Sequence, residues 1–365
     1  MTNTMINDDT NLHMVHVDLD YVFDDNQKQQ EINTELLIQR VINLKVNTVF
    51  LQAFADPEGN GNIKSLYFPN SLLPVRADLF SQVCNGLRQR AGVNVYAWMP
   101  VLAFQLEDIP KVLTYNLKKD NTFTDKNQYL RLSPFSAEAE SKIVQIYQDL
   151  ASGNLFDGIL FHDDAFLTDF EDACPEAIQA CQNAGLSPSI KIIRENAATM
   201  QTWTRLKSQA LIKLTNTLMA HVRAIRGDNV KSARNLYALP VIEPDSETWF
   251  AQNPDDFLEN YDWVVPMAMP LMEGVSLADS QAWLTSLVRK IAGRENALER
   301  TIIELQSVDW NTSPDRPVTD QTMTDWIKLL QRLGVKNYGY YPDDFFNNQP
   351  SAESISSLIS EPASD

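Results

Sequence analysis

Residues 18–26 read DLDYVFDDN, the first strand-to-helix turn of the chain, and they contain no glycine. An open, doubly wound α/β sheet that cradles a dinucleotide needs glycines at this turn, so that the backbone can approach the pyrophosphate. A closed parallel barrel has no such requirement. The turn follows an apolar, β-branched run at 13–21 (HMVHVDLDY) and precedes a helix-period segment at 31–45. The same unit recurs along the chain. Strands are expected at 48–54 (TVFLQAF), 94–102 (NVYAWMPVL), 157–163 (DGILFHD), 230–239 (VKSARNLYAL), 262–269 (DWVVPMAM), 301–308 (TIIELQSV) and 335–341 (VKNYGYY). Helices are expected at 77–91, 137–151, 199–225, 254–260, 277–292 and 320–333, with a last one from Ala352. Eight strand–helix pairs and only 12 glycines predict a (β/α)8 TIM barrel rather than a switch-point sheet.

The expected organisation is an N-terminal tail at 1–12, one barrel domain at 13–350, and a terminal helix with a frayed tail at 351–365. A chain of 365 residues with 44% apolar content suits one large barrel. Segments 56–73, 103–134 and 168–196 read as long loops, which in barrels often form lids or groove walls. Residues 1–12 have no apolar core of a secretion signal, so the chain reads as cytoplasmic as written or as a piece of an exported protein.

The 30 Lys and Arg face 48 Asp and Glu, a formal charge of −18. Such a chain repels nucleic acid and attracts cations, although acidity also simply keeps a protein soluble. The three cysteines form no disulfide framework. Cys174 and Cys181 fit either a bridge across a loop or two free thiols. Neither Cys-x-x-Cys nor His-rich spacing appears, and no P-loop, Gly-x-Ser-x-Gly or Gly-x-Gly-x-x-Gly motif is present, so neither metal nor cofactor is expected.

In a barrel the chemistry sits at the C-terminal ends of the strands. Those ends carry Asp18, Asp20 and Tyr21; Trp98; His162, Asp163 and Asp164; Glu304; and Tyr340, Tyr341 and Asp343. Aromatic faces stack on pyranose C–H faces, and carboxylates take sugar hydroxyls or ammonium groups. Glycoside hydrolysis itself needs carboxyl groups, one of them protonated. The sharpest segment is 156–164 (FDGILFHDD), where a buried strand ends in a His and two carboxylates. Adjacent acids tend to raise one pKa, which suits a general acid, although either Asp could instead cap the next helix. His162 is expected to position an Asp. His16, Asp18 and Asp20 share one face of the first strand, but same-face neighbours lie roughly 6.5 Å apart, too far for a tight metal shell. Trp98, Tyr340 and Tyr341 read equally as sugar platforms and as core, whereas Trp263, at its strand's start, reads as core. Mid-strand Glu304 needs a partner, Arg234 being one choice, or belongs to the site.

The segments HVDLDYVFD, TVFLQAFADPEGNG, YFPNSLLPVRADLF, FDGILFHDDAFLTDFEDA, ARNLYALPVIEP and VKNYGYYPDDF together resemble the C-terminal domain of the bacterial poly-β-1,6-N-acetylglucosamine N-deacetylases of biofilm exopolysaccharide export. The resemblance runs in order from about His13 to Pro350. It implies a (β/α)8 glycoside hydrolase domain acting on partially deacetylated poly-β-1,6-N-acetylglucosamine, which also serves as a binding platform for the polymer in the periplasm. It places the catalytic carboxylate within His162, Asp163 and Asp164, with Asp164 favoured as general acid. An outer-membrane association, the export porin of the same system as partner, and a monomeric chain complete the expectation. The family's N-terminal, metal-dependent deacetylase domain has no counterpart here, so an excised domain without deacetylase activity is expected.

Overall fold

The structure, a computed structural model, describes residues 11–360. Among them, eight parallel strands close into one barrel in chain order: β1 (His13–Val17), β2 (Thr48–Gln52), β3 (Asn94–Met99), β4 (Gly158–Phe161), β5 (Lys231–Leu236), β6 (Trp263–Ala268), β7 (Ile303–Gln306) and β8 (Tyr338–Tyr341). Pairing of β1 with β8, His13 opposite Tyr338, seals the ring. Closure demands a glycine on β8. A Cβ at Gly339 would stand 2.0 Å from the Met14 carbonyl oxygen.

The outer ring comprises α1 (Gln27–Leu44), α2 (Phe80–Gly86), α3 (Ala137–Gly153), α4 (Ala197–Arg226), α5 (Pro254–Asn260), α6 (Ser280–Ala292), α7 (Asp320–Arg332) and α8 (Ala352–Ser360). Local sequence sets the helix ends. The Asn26 side chain accepts the amides of Lys28 and Gln29 to start α1, and Lys45 in the left-handed region (φ 58°) stops it. Ser136 and Thr319 cap α3 and α7 in the same way. None of the described helices is long and apolar enough to cross a membrane.

Several strands end earlier than their apolar runs suggest. β1 stops at Val17, and Leu19–Val22 form a single helical turn with Asp18 as its extended N-terminal flank. Asp20 therefore sits on a turn, not on the strand face shared by His16 and Asp18. β5 stops at Leu236, and Ala238–Ile242 turn helical. The 168–196 loop contains two short helices, Pro175–Asn183 and Ile190–Arg194.

Cys174 caps the first of these two helices through its sulfur and Cys181 lies seven residues on, so about 10 Å of helix separates them. That spacing excludes a bridge, and both thiols are free and buried. Residues 1–10 and 361–365 of the expected tails lie outside the described residues. Leu12 does not belong to a tail: it is buried, and its amide donates to the Asn337 side chain at 2.8 Å.

Candidate active site

A cavity of about 620 Å³ opens at the C-terminal ends of the strands. Its lining includes Asp18, Asp20, Asp56, Glu58, Asp163 and Glu304, and no Lys or Arg. The space where a substrate would lie is therefore lined by carboxylates without a basic side chain among them.

Asp163 stands past the end of β4, where the chain has left the strand and its side chain is free to turn into the cleft. One carboxylate oxygen lies 3.0 Å from His162 Nδ1 and 3.5 Å from the Tyr129 hydroxyl; the other accepts the Tyr237 hydroxyl at 3.1 Å. Burial alone would raise the Asp163 pKa, but His162 and the two phenols outweigh it and hold the carboxyl below the usual range. Burial would likewise strip the proton from His162, yet Asp163 and Asp164 push its pKa up to about 10. The Asp164 amide also lies 3.1 Å from His162 Nδ1, a contact that a neutral ring would accept. Two carboxylates on the same nitrogen favour the protonated ring. His162 and Asp163 thus form an ion pair at neutral pH.

Asp18, at the end of β1, has the opposite environment. Burial pushes its carboxyl up to about 7, the charges of Asp20 and Asp56 add to the push, and the Tyr341 hydroxyl and His162 oppose it. Two cleft carboxyls with pKa values driven apart are the arrangement that acid–base chemistry on sugars requires.

Glu304 forms part of the cleft floor. It bonds His16 Nδ1 at 2.7 Å and accepts from the Asn235 side chain at 3.0 Å. Arg234 is not its partner: that guanidinium points out of the barrel to the Tyr261 hydroxyl and the Ala165 carbonyl. Trp98 lies against His16, ring centroids 4.2 Å apart, and Tyr21 and Tyr341 complete the expected aromatic lining. Tyr21 is 51% exposed, as a platform for a sugar ring would be.

Three expected residues lie elsewhere. Asp164 is fully buried behind the rim, where its carboxylate accepts the amides of Val101, Leu102 and Ala103 at 2.6–3.1 Å. It shapes the turn after β3 and does not reach the cleft, so the expectation of Asp164 as general acid gives way to a structural role. Tyr340 faces the helices, because it alternates with cleft-facing Tyr341 along β8. Its hydroxyl donates to Asp343 at 2.7 Å, and Asp343 is held by Arg40 of α1 at 2.8 Å. This buried trio locks β8 to α1. Asp20 does line the cleft, but its oxygens are taken by Tyr67 (2.6 Å), Arg76 (2.9 Å), Gln52 (2.9 Å) and the Asp56 amide (2.8 Å). It holds the 56–61 loop against the cleft.

Sequence reasoning missed Tyr129, Tyr237 and Trp310. Trp310 lines the cleft near Tyr341, with ring centroids 6.2 Å apart, and its place just past β7 was a readable signal. Tyr237 was masked by the overlong reading of its strand. Tyr129 lies in a long loop without periodicity. It is seated by Gly61, whose φ is +69° and where a Cβ would stand 2.1 Å from the Tyr129 ring. Among the described residues no group of three or more His, Cys, Asp or Glu converges as metal ligands do.

Comparison with known proteins agrees with this geometry. The family described as hypothetical glycosyl hydrolase family 13 matches residues 16–341. The chain belongs to this family. The PgaB (BpsB) glycoside hydrolase domain from Bordetella bronchiseptica is 42% identical, with a TM-score of 0.88 over 95% of this chain and 98% of that one. The poly-β-1,6-N-acetyl-D-glucosamine N-deacetylase of Escherichia coli K12 is 48% identical over 346 residues, which is 94% of this chain. The chain spans about half (51%) of the length of that curated relative. An α-L-fucosidase from Paenibacillus thiaminolyticus, 12% identical with a TM-score of 0.61, shares the barrel fold alone. The family and the site together make this chain a glycoside hydrolase domain.

Proposed function

We propose that the chain cleaves partially deacetylated poly-β-1,6-N-acetylglucosamine internally, with Asp18 as general acid and Asp163 as the anionic carboxylate. The observation that carries the reading is the divergence of these two carboxyls. Asp18 retains a proton up to about pH 7, and Asp163 is kept ionised by His162 and two phenols. A protonated Asp18 gives its proton to the departing glycosidic oxygen. Asp163 offers negative charge to the oxocarbenium-like centre left at the anomeric carbon as the C–O bond breaks; a water oxygen then bonds that carbon, and the proton the water releases restores Asp18. The acidic lining supports a substrate with free amines, since ammonium groups gain from it and neutral acetamides do not. The E. coli relative, a poly-β-1,6-N-acetyl-D-glucosamine N-deacetylase 48% identical over 346 residues, supports the same polymer. Location in the periplasm, with the outer-membrane export porin as neighbour, belongs to this reading.

A lining without Lys or Arg also suits a module that binds and passes on the polymer without cutting it. Incubation with partially deacetylated polymer, followed by reducing-end assay and mass spectrometry, separates the two. Hydrolysis predicts new chain ends, lost by about 10²–10⁴-fold in Asp18→Asn and Asp163→Asn. Equal cleavage by wild type and Asp163→Asn would refute the assignment. Salt-sensitive binding without new ends would establish the binding module instead.

A further inference from the structure

A second cavity, of about 570 Å³, opens beside the cleft between the segments that follow β6 and β7. Its chemistry differs from that of the cleft. Leu271, Val275, Leu277 and Val318 supply an apolar surface. The charged residues in its lining are Asp309 and Arg316, which face each other across a short antiparallel ladder and offset one another. Such a surface carries no net charge to draw an ammonium group.

The two cavities adjoin across a shared wall. Met272 and Trp310 line the cleft, and their chain neighbours Leu271, Asp309 and Asn311 line the second cavity. The wall is built rather than loose. Buried Gln306 accepts the amides of Leu271 and Met272 at 2.7 and 3.1 Å and donates to the Val308 carbonyl at 2.6 Å. The Asn311 side chain bonds the Leu271 carbonyl across the two segments. Leu277, 55% exposed at the mouth, is an unpartnered apolar side chain beside this preformed space.

We propose that this cavity is a binding subsite for the acetylated sugars of the polymer, with its apolar wall taking acetamido methyl groups. The proposal rests on the polymer named above as substrate. A partially deacetylated chain carries both kinds of residue. One running from the cleft over the wall meets carboxylates where it bears amines and aliphatic side chains where it bears acetyl groups. The pattern of deacetylation then sets the register in which the chain is held.

The test uses the whole chain carrying Asp163→Asn, so that binding is measured without turnover. Leu277→Asp and Leu277→Met are added separately and titrated calorimetrically with β-1,6-linked glucosamine oligomers, either fully deacetylated or partially acetylated. Loss of a buried methyl contact is worth about fourfold in affinity, and a carboxylate in its place brings the expected loss to about tenfold. Leu277→Asp should show that loss for acetylated oligomers only, and Leu277→Met should bind them as the parent does. Equal effects of Leu277→Asp on both oligomers, or none on either, would overturn the subsite. Absence of binding by any β-1,6 oligomer, with Leu277 intact, would overturn the substrate reading itself.

Discussion

Asp163 and Asp164 are adjacent carboxylates, and replacing them should give opposite kinds of damage. Asp164 accepts three backbone amides, from Val101 at 3.0 and 3.1 Å and from Leu102 and Ala103 at 2.6 and 2.7 Å. In Asp164→Ala these buried donors lose their acceptor. At about 1–3 kcal/mol for each orphaned group, less some relief by water, the loss comes to about 4 kcal/mol. The unfolding entropy of a 365-residue chain is about 0.8 kcal/mol/K near 60 °C, so the melting midpoint should fall by about 5 °C. Asp164→Asn is graded between. Its amide oxygen, placed where Oδ2 stands, still meets all three donors, whereas its NH2 opposes the Val101 amide, for a loss of about 1–2 kcal/mol. Activity per folded molecule, measured well below the melt, should stay within a few-fold of wild type in both variants. Differential scanning fluorimetry and the reducing-end assay measure the two quantities on the same preparations. An unchanged melt with activity down about a hundredfold or more would mean that Asp164 does chemistry, and the reasoning would fail.

Asp18 links stability to pH. Its pKa is raised to about 7, so the folded chain keeps this proton between about pH 4 and pH 7 while the unfolded chain releases it. This contribution to stability is therefore full below about pH 4, falls as pH rises toward 7, and is lost above it. Asp18→Asn should raise the melting point at pH 8 and leave it nearly unchanged at pH 4, and wild-type kcat/KM should decline above pH 7. A melting point unmoved at pH 8 would deny the buried proton. Arg40→Met leaves Asp343 buried without its guanidinium and should cost about 3–5 kcal/mol in denaturant unfolding, with the cleft's activity at low temperature retained. Gly61→Ala must displace the Tyr129 ring and with it a donor to Asp163; kcat should fall by about tenfold, with KM little changed. Retained kcat would show that Tyr129 does not position Asp163.

The fold was legible because eight apolar strands and the helix-period segments between them alternate in the sequence, and because the glycine-free first turn disfavours the open-sheet competitor. The site was legible as a place, since strand ends can be read from the same pattern. Individual roles were harder. Past Phe161 the chain leaves β4, strand parity no longer governs direction, and only the turn decides that Asp163 faces the cleft and Asp164 the amides after β3. Tyr340 and Tyr341 are different. Neighbours on a strand face opposite sides, so parity already forbade both from lining the cleft. The Tyr129–Asp163 contact spans 34 residues and depends on a loop seated by Gly61. Nothing local announces it.

Along β8, Tyr338 bonds Gln331 of α7, Tyr340 joins the Arg40–Asp343 lock, and Tyr341 alone meets substrate space. The strand thus divides its positions between two selective pressures. Changes at inward positions can retune specificity while the outward latch keeps the barrel intact, and distant, non-touching sites combine nearly additively. Libraries for altered sugar preference are therefore best placed at inward positions such as Trp98 and Tyr341, varied together because their rings lie 5.8 Å apart and their effects are coupled.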